Sequence, residues 1–287
     1  MIFLPRTCRF LLSHGCAFNM NSKQIATVMT SAVQRSKPLE GKSAIITAST
    51  DGIGYAIAEK LGKDGAKIVV SSRKQANVEQ AIASLKAKGC SVTGVVCHVG
   101  KKEDREKLIK HALDTNGGID ILVSNAAVNP VMAQVLDTPE DAWDKIFDIN
   151  VKCAYLLSKD VVPHMQKKGA GSIVYVASIG GFQPFPLLGA YSVSKTALLG
   201  LTKAVAAQCG PDNIRVNCIA PGVVKTKFSS PLWSSEGAID KVLEMTPLGR
   251  IATPNDISGI VSFLCSDDAS YITGENFVVA GGMTSRL

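Results

Sequence analysis

The chain is expected to fold as one doubly wound α/β domain around a parallel, seven-stranded sheet. Three observations carry that expectation. Beyond Pro38, short β-branched runs alternate with helical segments, the pattern of stacked strand–helix–strand units. The first of these strands runs directly into a glycine-bearing turn that opens a helix. The 287 residues, 46 % of them hydrophobic, suit one large core. With no internal repeat, low-complexity tract or composition break after Gly41, residues 1–40 are read as a basic leader and 41–287 as a single domain.

Strands are expected at Ser43 to Thr47, Lys67 to Ser71, Val92 to Cys97, Ile121 to Ser124, Ser172 to Ala177, Ile214 to Ile219 and Asn276 to Ala280. Helices are expected near 53–63, 75–88, 102–115, 139–168, 190–209 and 254–265. Thr138-Pro139 and Thr253-Pro254 each predict a helix start, with a capping hydroxyl before a proline and an acid, Asp141 or Asp256, at the third helical position.

The turn after the first strand reads Thr47-Ala48-Ser49-Thr50-Asp51-Gly52-Ile53-Gly54. Glycines there let the backbone turn tightly and approach a pyrophosphate at a helix N-terminus, as in a Rossmann-type nucleotide site. At the end of the second strand an acid would bind the ribose hydroxyls of NAD and repel a 2′-phosphate. Here stand Ser71-Ser72-Arg73-Lys74, so NADP(H) is favoured, with Arg73 the better phosphate clamp because its planar fork donates two hydrogen bonds.

Composition narrows the remaining classes. The net charge is +7, of which Arg6, Arg9, Lys23, Arg35 and Lys37 against Glu40 place +4 in the leader. The body shows no basic run interleaved with aromatics, so nucleic acid is not an expected partner. The eight cysteines and four histidines form no zinc-spaced set, and no metal site is expected. No stretch approaches the roughly 20 apolar residues of a membrane span, so no stable insertion is expected. The leader fits a mitochondrial transit peptide or an unfolded extension. Ser285-Arg286-Leu287 resembles the Ser-Lys-Leu peroxisomal address, and peroxisome and mitochondrion are the alternative destinations.

Ser178, Tyr191 and Lys195 carry the chemistry. Residues four apart share a helix face, so the Lys195 ammonium can stand near the Tyr191 phenol, lower its pKa and make it a proton donor for a carbonyl or alcohol. Alone, such a pair is also what a solvated helix face looks like; its context decides.

Together these motifs resemble the classical short-chain dehydrogenase/reductase family over Gly41 to Leu287. The glycine loop of that family appears as Thr47 to Gly54, its Asn-Asn-Ala-Gly stretch as Ser124-Asn125-Ala126-Ala127, and its active-site asparagine as Asn150. Its catalytic serine matches Ser178, its Tyr-x-x-x-Lys Tyr191 to Lys195, and its Pro-Gly turn against the nicotinamide Pro221-Gly222, with Thr226 suited to the carboxamide. Ala48 for the first loop glycine, Ser124, Ala127, and His98 in place of an adenine-facing aspartate depart from the family pattern. The resemblance implies a catalytic set of Asn150, Ser178, Tyr191 and Lys195. For the cofactor it implies Thr47, Ser49, Thr50, Asp51, Gly52, Ile53 and Gly54, then Ser72, Arg73, Lys74, Asn77, His98 and Val99, then Asn125, Ala126, Tyr191, Lys195, Pro221, Gly222, Val224 and Thr226.

The stretches Ser71-Ser72-Arg73-Lys74-Gln75, Cys97-His98-Val99-Gly100 and Ser194-Lys195-Thr196-Ala197-Leu198, with the Ser-Arg-Leu end, resemble a narrower branch of peroxisomal, NADP-dependent retinol dehydrogenase/reductases. That implies reversible reduction of retinal, aromatic ketones and α-dicarbonyls, a homotetramer, and a peroxisomal import receptor as partner. In the expected mechanism hydride comes from NADPH and Tyr191 donates the proton. Lys195 tunes that phenol and holds the ribose hydroxyls, Ser178 bonds the carbonyl oxygen, and Asn150 holds a water feeding protons to Lys195.

Phe182, Phe185, Leu187 and Leu188, with Phe228, Leu232, Trp233, Leu243 and Met245, are candidates for an apolar substrate lining; Ser178, Phe182, Phe185 and Tyr191 are the expected substrate contacts. Two other functions stay open: a 3-oxoacyl-thioester reductase with the same catalytic set, and a non-catalytic nucleotide-binding scaffold.

Overall fold

A computed structural model of the chain describes residues 37–285. The leader through Ser36, with Cys8, Cys16 and His14, and the terminal Arg286-Leu287 lie outside the described residues. Seven parallel strands form one sheet: β1 (Ser43–Ile46), β2 (Lys67–Ser72), β3 (Val92–Val96), β4 (Ile121–Ser124), β5 (Gly171–Val176), β6 (Ile214–Pro221) and β7 (Asn276–Val279). Their order is β3-β2-β1-β4-β5-β6-β7, so the winding reverses between β1 and β4. The domain is Rossmann-like and doubly wound.

Helices cover both faces. They are α1 (Gly52–Lys63), α2 (Gln75–Ala87), α3 (Lys102–Asn116), α4 (Glu140–Phe147), α5 (Cys153–Lys168), α6 (Gly189–Cys209), α7 (Glu236–Glu244) and α8 (Pro254–Cys265). Because successive strand side chains point to opposite faces, Ile45, Leu122 and Ile173 pack with α3, α5 and α6, while Ile46, Val123 and Val174 pack with α1, α2 and α8. Leu39 is fully buried in the second of these layers, and its N–H donates to the Asp64 carbonyl at 2.9 Å. The chain is therefore tied to the domain just before Gly41.

Three expectations need correcting. The helix expected over 139–168 is interrupted by a π-helical turn, Asp148–Lys152, that separates α4 from α5. Thr138 does not cap: α4 starts at Glu140 behind Pro139, and the Thr138 hydroxyl donates back to the Gln134 carbonyl at 3.1 Å. Helix α7 lies where no helix was expected, capped by the Ser235 hydroxyl, which accepts from the Ala238 N–H. At Thr253 the expected start holds, the Asp256 carboxylate accepting from the Thr253 N–H at 2.7 Å.

Candidate active site

The carboxyl ends of β1, β2, β4, β5 and β6 open into one cavity of about 470 Å3. Its first wall is the glycine turn. Ala48 adopts φ +50°, the left-handed conformation a glycine would take without strain. Gly54 admits no side chain, since a Cβ there would stand 2.5 Å from the Ala48 carbonyl and 2.6 Å from the Asn125 amide nitrogen. Asp51 caps α1, accepting the Gly52 N–H at 2.8 Å. Its other oxygen meets Lys227 at 2.8 Å, and the hydrogen bond to that lysine holds the Asp51 carboxyl below its usual range.

Thr47 and Ser49, expected to touch cofactor, are fully buried and brace the turn instead. The Thr47 hydroxyl oxygen accepts the N–H groups of Asn125 and Ala126 at 3.0 and 3.1 Å. Ser49 donates to the Ile46 carbonyl at 2.7 Å and accepts the Ser71 N–H at 3.0 Å. Of the other expected cofactor residues, Asp51, Gly52, Ile53, Gly54, Arg73, Asn125, Tyr191, Lys195, Pro221, Gly222, Val224 and Thr226 line the cavity. Thr50, Ser72, Lys74, Asn77, His98, Val99 and Ala126 stand outside its wall. His98 is engaged locally, its Nδ1 accepting the Gly100 N–H at 3.1 Å, and Val99 is turned into the core.

The reacting corner lies where β5 meets α6. Ser178, two residues past β5, keeps an extended backbone and its hydroxyl accepts the Gly180 N–H at 3.0 Å. The turn it starts is pressed onto α6, because a Cβ on Gly181 would fall 2.9 Å from the Lys195 carbonyl carbon. The Thr196 hydroxyl pins that turn by donating to the Gly181 carbonyl at 2.7 Å. Lys195 is 2 % exposed; its Nζ donates to the Val176 carbonyl at 2.8 Å and lies 5.5 Å from the Tyr191 ring centre.

Electrostatics here differ from the expectation. Burial pushes the Tyr191 phenol up to about 12, with hydrogen bonding to Ser178 pulling the other way. Burial pushes Lys195 down to about 8. Desolvation thus outweighs the hydrogen bond to Ser178, and Tyr191 holds its proton at neutral pH. That state suits an acid.

Asn150 sits in the π turn, 2 % exposed. Its Oδ1 accepts the Val128 N–H at 2.8 Å, and its Nδ2 donates to the Val128 carbonyl and to the Ser194 hydroxyl, each at 3.0 Å. Both amide hydrogens are used, so the water-holding role expected of its side chain is restricted to the second lone pair of Oδ1.

The apolar end of the cavity is lined by Phe185, Leu188, Phe228 and Leu232, and also by Met132 and Pro231. The Phe228 ring lies 5.9 Å from that of Tyr191. Phe182 is a correction: it follows the turn after Ser178 and packs on the core, outside the cavity wall. Trp233 also turns inward, donating from Nε1 to the Ser229 hydroxyl at 3.0 Å, while Met245 faces solvent. Asn129, Met132 and Lys227 line the site without having been singled out; a loop directly after the Ser124 to Ala127 stretch was the available signal for the first two.

The comparisons agree with this geometry. A family model described as Enoyl-(Acyl carrier protein) reductase matches residues 47–284. Dehydrogenase/reductase SDR family member 4 of Sus scrofa is 55 % identical over 276 residues, 96 % of this chain and 98 % of the relative. The human protein of that name is 56 % identical over 272 residues, 95 % of this chain and 97 % of the relative. A 7α-hydroxysteroid dehydrogenase, solved with NADH and 7-oxo glycochenodeoxycholic acid, superposes with a TM-score of 0.83 at 31 % identity, covering 88 % of this chain and 98 % of its own. With its cavity at the reversal of the sheet and its serine, tyrosine and lysine in one wall, the chain belongs to the short-chain dehydrogenase/reductase family, as an NAD(P)-dependent oxidoreductase acting on CH–OH and carbonyl groups.

Proposed function

We propose that the protein reduces bulky, hydrophobic carbonyl compounds to alcohols with NADPH, reversibly, and that retinal, aromatic ketones and α-dicarbonyls are within its range. The observation that carries this reading is the cavity itself. Ser178, Tyr191 and Lys195 stand beside an apolar flap, while Arg73, with no acid at the end of β2, stands across the sheet. Strands β1 and β4 lie between β2 and β5, which sets the two groups roughly three strand spacings, about 15 Å, apart. The residues present fit a dinucleotide: an open glycine turn at a helix N-terminus, a cation for a 2′-phosphate, and a volume within the range of about 300–1,000 Å3 usual for small-molecule sites.

When bound, the reduced nicotinamide supplies the hydride for the carbonyl carbon. Ser178 donates a hydrogen bond to the carbonyl oxygen, polarising the bond. Tyr191 then gives its proton to that oxygen, which gains charge as the alcohol forms. Lys195, cationic below about pH 8, offsets the phenolate left behind. Asn150 fixes the backbone on the far side of this pair and offers Oδ1 to a water that returns a proton toward Lys195.

A second reading, a 3-oxoacyl-thioester reductase, draws support from the acyl-carrier description of the matching family model. Steady-state oxidation of NADPH and NADH with retinal, an α-dicarbonyl and acetoacetyl-CoA side by side separates the two. Preference for retinal or the dicarbonyl with NADPH is the expected result; preference for the thioester overturns the first reading. NADPH binding with turnover of none of the three would favour a nucleotide-binding scaffold.

The resemblance to the narrower branch of retinol dehydrogenase/reductases also implies a homotetramer, which light scattering would report as four times the mass of one chain.

A further inference from the structure

Ser194 lies between the members of the tyrosine–lysine pair on α6 and is fully buried. Its hydroxyl donates to the Tyr191 carbonyl at 2.6 Å and accepts from Asn150 Nδ2 at 3.0 Å. Asn150 grips Val128 with its remaining amide hydrogen and its oxygen. This arrangement fixes the amide one way round, since a flip would set Oδ1 against the Val128 carbonyl and Nδ2 against its N–H.

Val128 opens the stretch that carries Asn129 and Met132 along the cavity wall. Farther on, Ala133 joins that stretch to the entry of α6, accepting the Gly189 N–H at 3.3 Å and donating to the Leu187 carbonyl at 2.9 Å. The Ser194 hydroxyl therefore joins the π turn to the turn of α6 that bears the reacting phenol, and through Asn150 it reaches the loop after β4. A serine bonding back to a carbonyl three or four residues earlier bends its helix, and here the carbonyl belongs to Tyr191 itself.

We propose that Ser194 is a positioning residue for the reaction. Through the Tyr191 carbonyl and the Asn150 amide it sets where the Tyr191 hydroxyl and the Lys195 ammonium stand relative to the π turn. Ser194 is not part of the cavity wall, so it acts through its two partners. The assignment rests on Tyr191 being the proton donor. Displacements on the order of 1 Å at a reacting group cost roughly 100-fold in rate, which is the scale of effect at stake.

The test is Ser194→Ala, assayed with the best carbonyl substrate found in the panel. The expected result is a fall in kcat of roughly 10- to 100-fold. The NADPH Kd, read by fluorescence quenching, should rise by much less than kcat falls, because Lys195 is only one of the expected cofactor contacts and the glycine turn is braced separately by Thr47 and Ser49. Ser194→Thr, which keeps the hydroxyl, should recover most of the rate. In a double-mutant cycle, Ser194→Ala placed on Asn150→Ala should add less than about threefold. A kcat within twofold of the wild type, a parallel loss of NADPH binding, or additive costs in the cycle would each overturn the assignment. Should Ser194→Ala not fold, Ser194→Cys carries the test: sulfur is a weak donor and acceptor, so the rate must fall, and a wild-type rate sinks the proposal. Tyr191→Phe run alongside keeps the two readings apart. Full activity there removes the proton donor, whereas a silent Ser194→Ala beside an inactive Tyr191→Phe removes only the role of Ser194.

Discussion

At Lys195 an ammonium-bearing side chain is held almost entirely out of water, and burial pushes its pKa down to about 8. Its unfolded value is 10.5, so between about 8 and 10.5 the unfolded chain binds more protons and stability rises with pH. Below about 8 the cost of the buried charge is present in full. Catalysis asks the opposite, since the cation must be there to offset a phenolate, and the rate of reduction should fall as pH climbs through about 8. Lys195→Met therefore separates the two: it abolishes turnover, yet melts no lower than the wild type at pH 7 and loses the rise in melting temperature between pH 8 and 10.5. Calorimetry across that range checks it, and a variant that keeps the rise would show that another group causes it. Tyr191→Phe removes the donor while keeping the ring against Phe228, and a loss of roughly 10²- to 10⁴-fold in kcat with NADPH binding intact is expected. Stopped-flow single turnovers would report that loss directly. These two residues were legible from their spacing, because four positions along a helix is a geometric statement. The direction of the Tyr191 shift was not, because desolvation depends on what the rest of the chain packs around the phenol.

Among the elements, α8 has the start most fully written in sequence. Thr253, Pro254 and Asp256 make a reciprocal cap, and Arg250 grips the same carboxylate with two bonds of 2.7 and 2.8 Å. That hydrogen bonding, chiefly from Arg250, holds the Asp256 carboxyl well below the usual carboxylate range. The stability it contributes is complete above the unfolded carboxylate pKa near 4 and is lost as pH falls below it. Asp256→Ala should cost about 1 kcal/mol at pH 7, and the gap from the wild type in urea melts should narrow as pH is lowered below about 4. A gap that does not change with pH would assign the effect to packing. Thr138-Pro139 carries the same signal and fails as a cap, because the Thr138 hydroxyl is drawn to Gln134 and the chain enters α4 one residue later. The strands were legible to within a residue or two because parallel strands buried on both faces are runs of β-branched residues. The π turn at Asp148–Lys152 was not, since one extra residue in a helix leaves the hydrophobic period almost unchanged, and the tertiary clamp of Asn150 on Val128 is invisible to local pattern.

Over the whole molecule, the reversal of winding between β1 and β4 gathers loops far apart in sequence around one cavity. The glycine turn, Arg73 and the serine–tyrosine–lysine set were readable because each lies at the end of a regular element. Met132, Lys227 and the inward turn of Phe182 were not, because they depend on how long loops fold over that cavity. The same layout makes cofactor choice separable from chemistry. Arg73 directly follows β2, exposed and lining the cavity, with β1 and β4 lying between it and β5, beyond which is the corner that holds Ser178. A charge-assisted hydrogen bond from its guanidinium to a 2′-phosphate contributes about 1.5–3 kcal/mol, so Arg73→Ser should raise the KM for NADPH by roughly 10- to 100-fold. The KM for NADH, which lacks that phosphate, should stay nearly constant, and so should kcat with saturating NADPH, because no group near the reacting carbonyl has changed. Initial rates with each cofactor, measured at low and at physiological salt, decide the matter. An equal loss with NADH, or a fall in kcat at saturation, would mean that Arg73 braces the site as a whole instead of reading the phosphate.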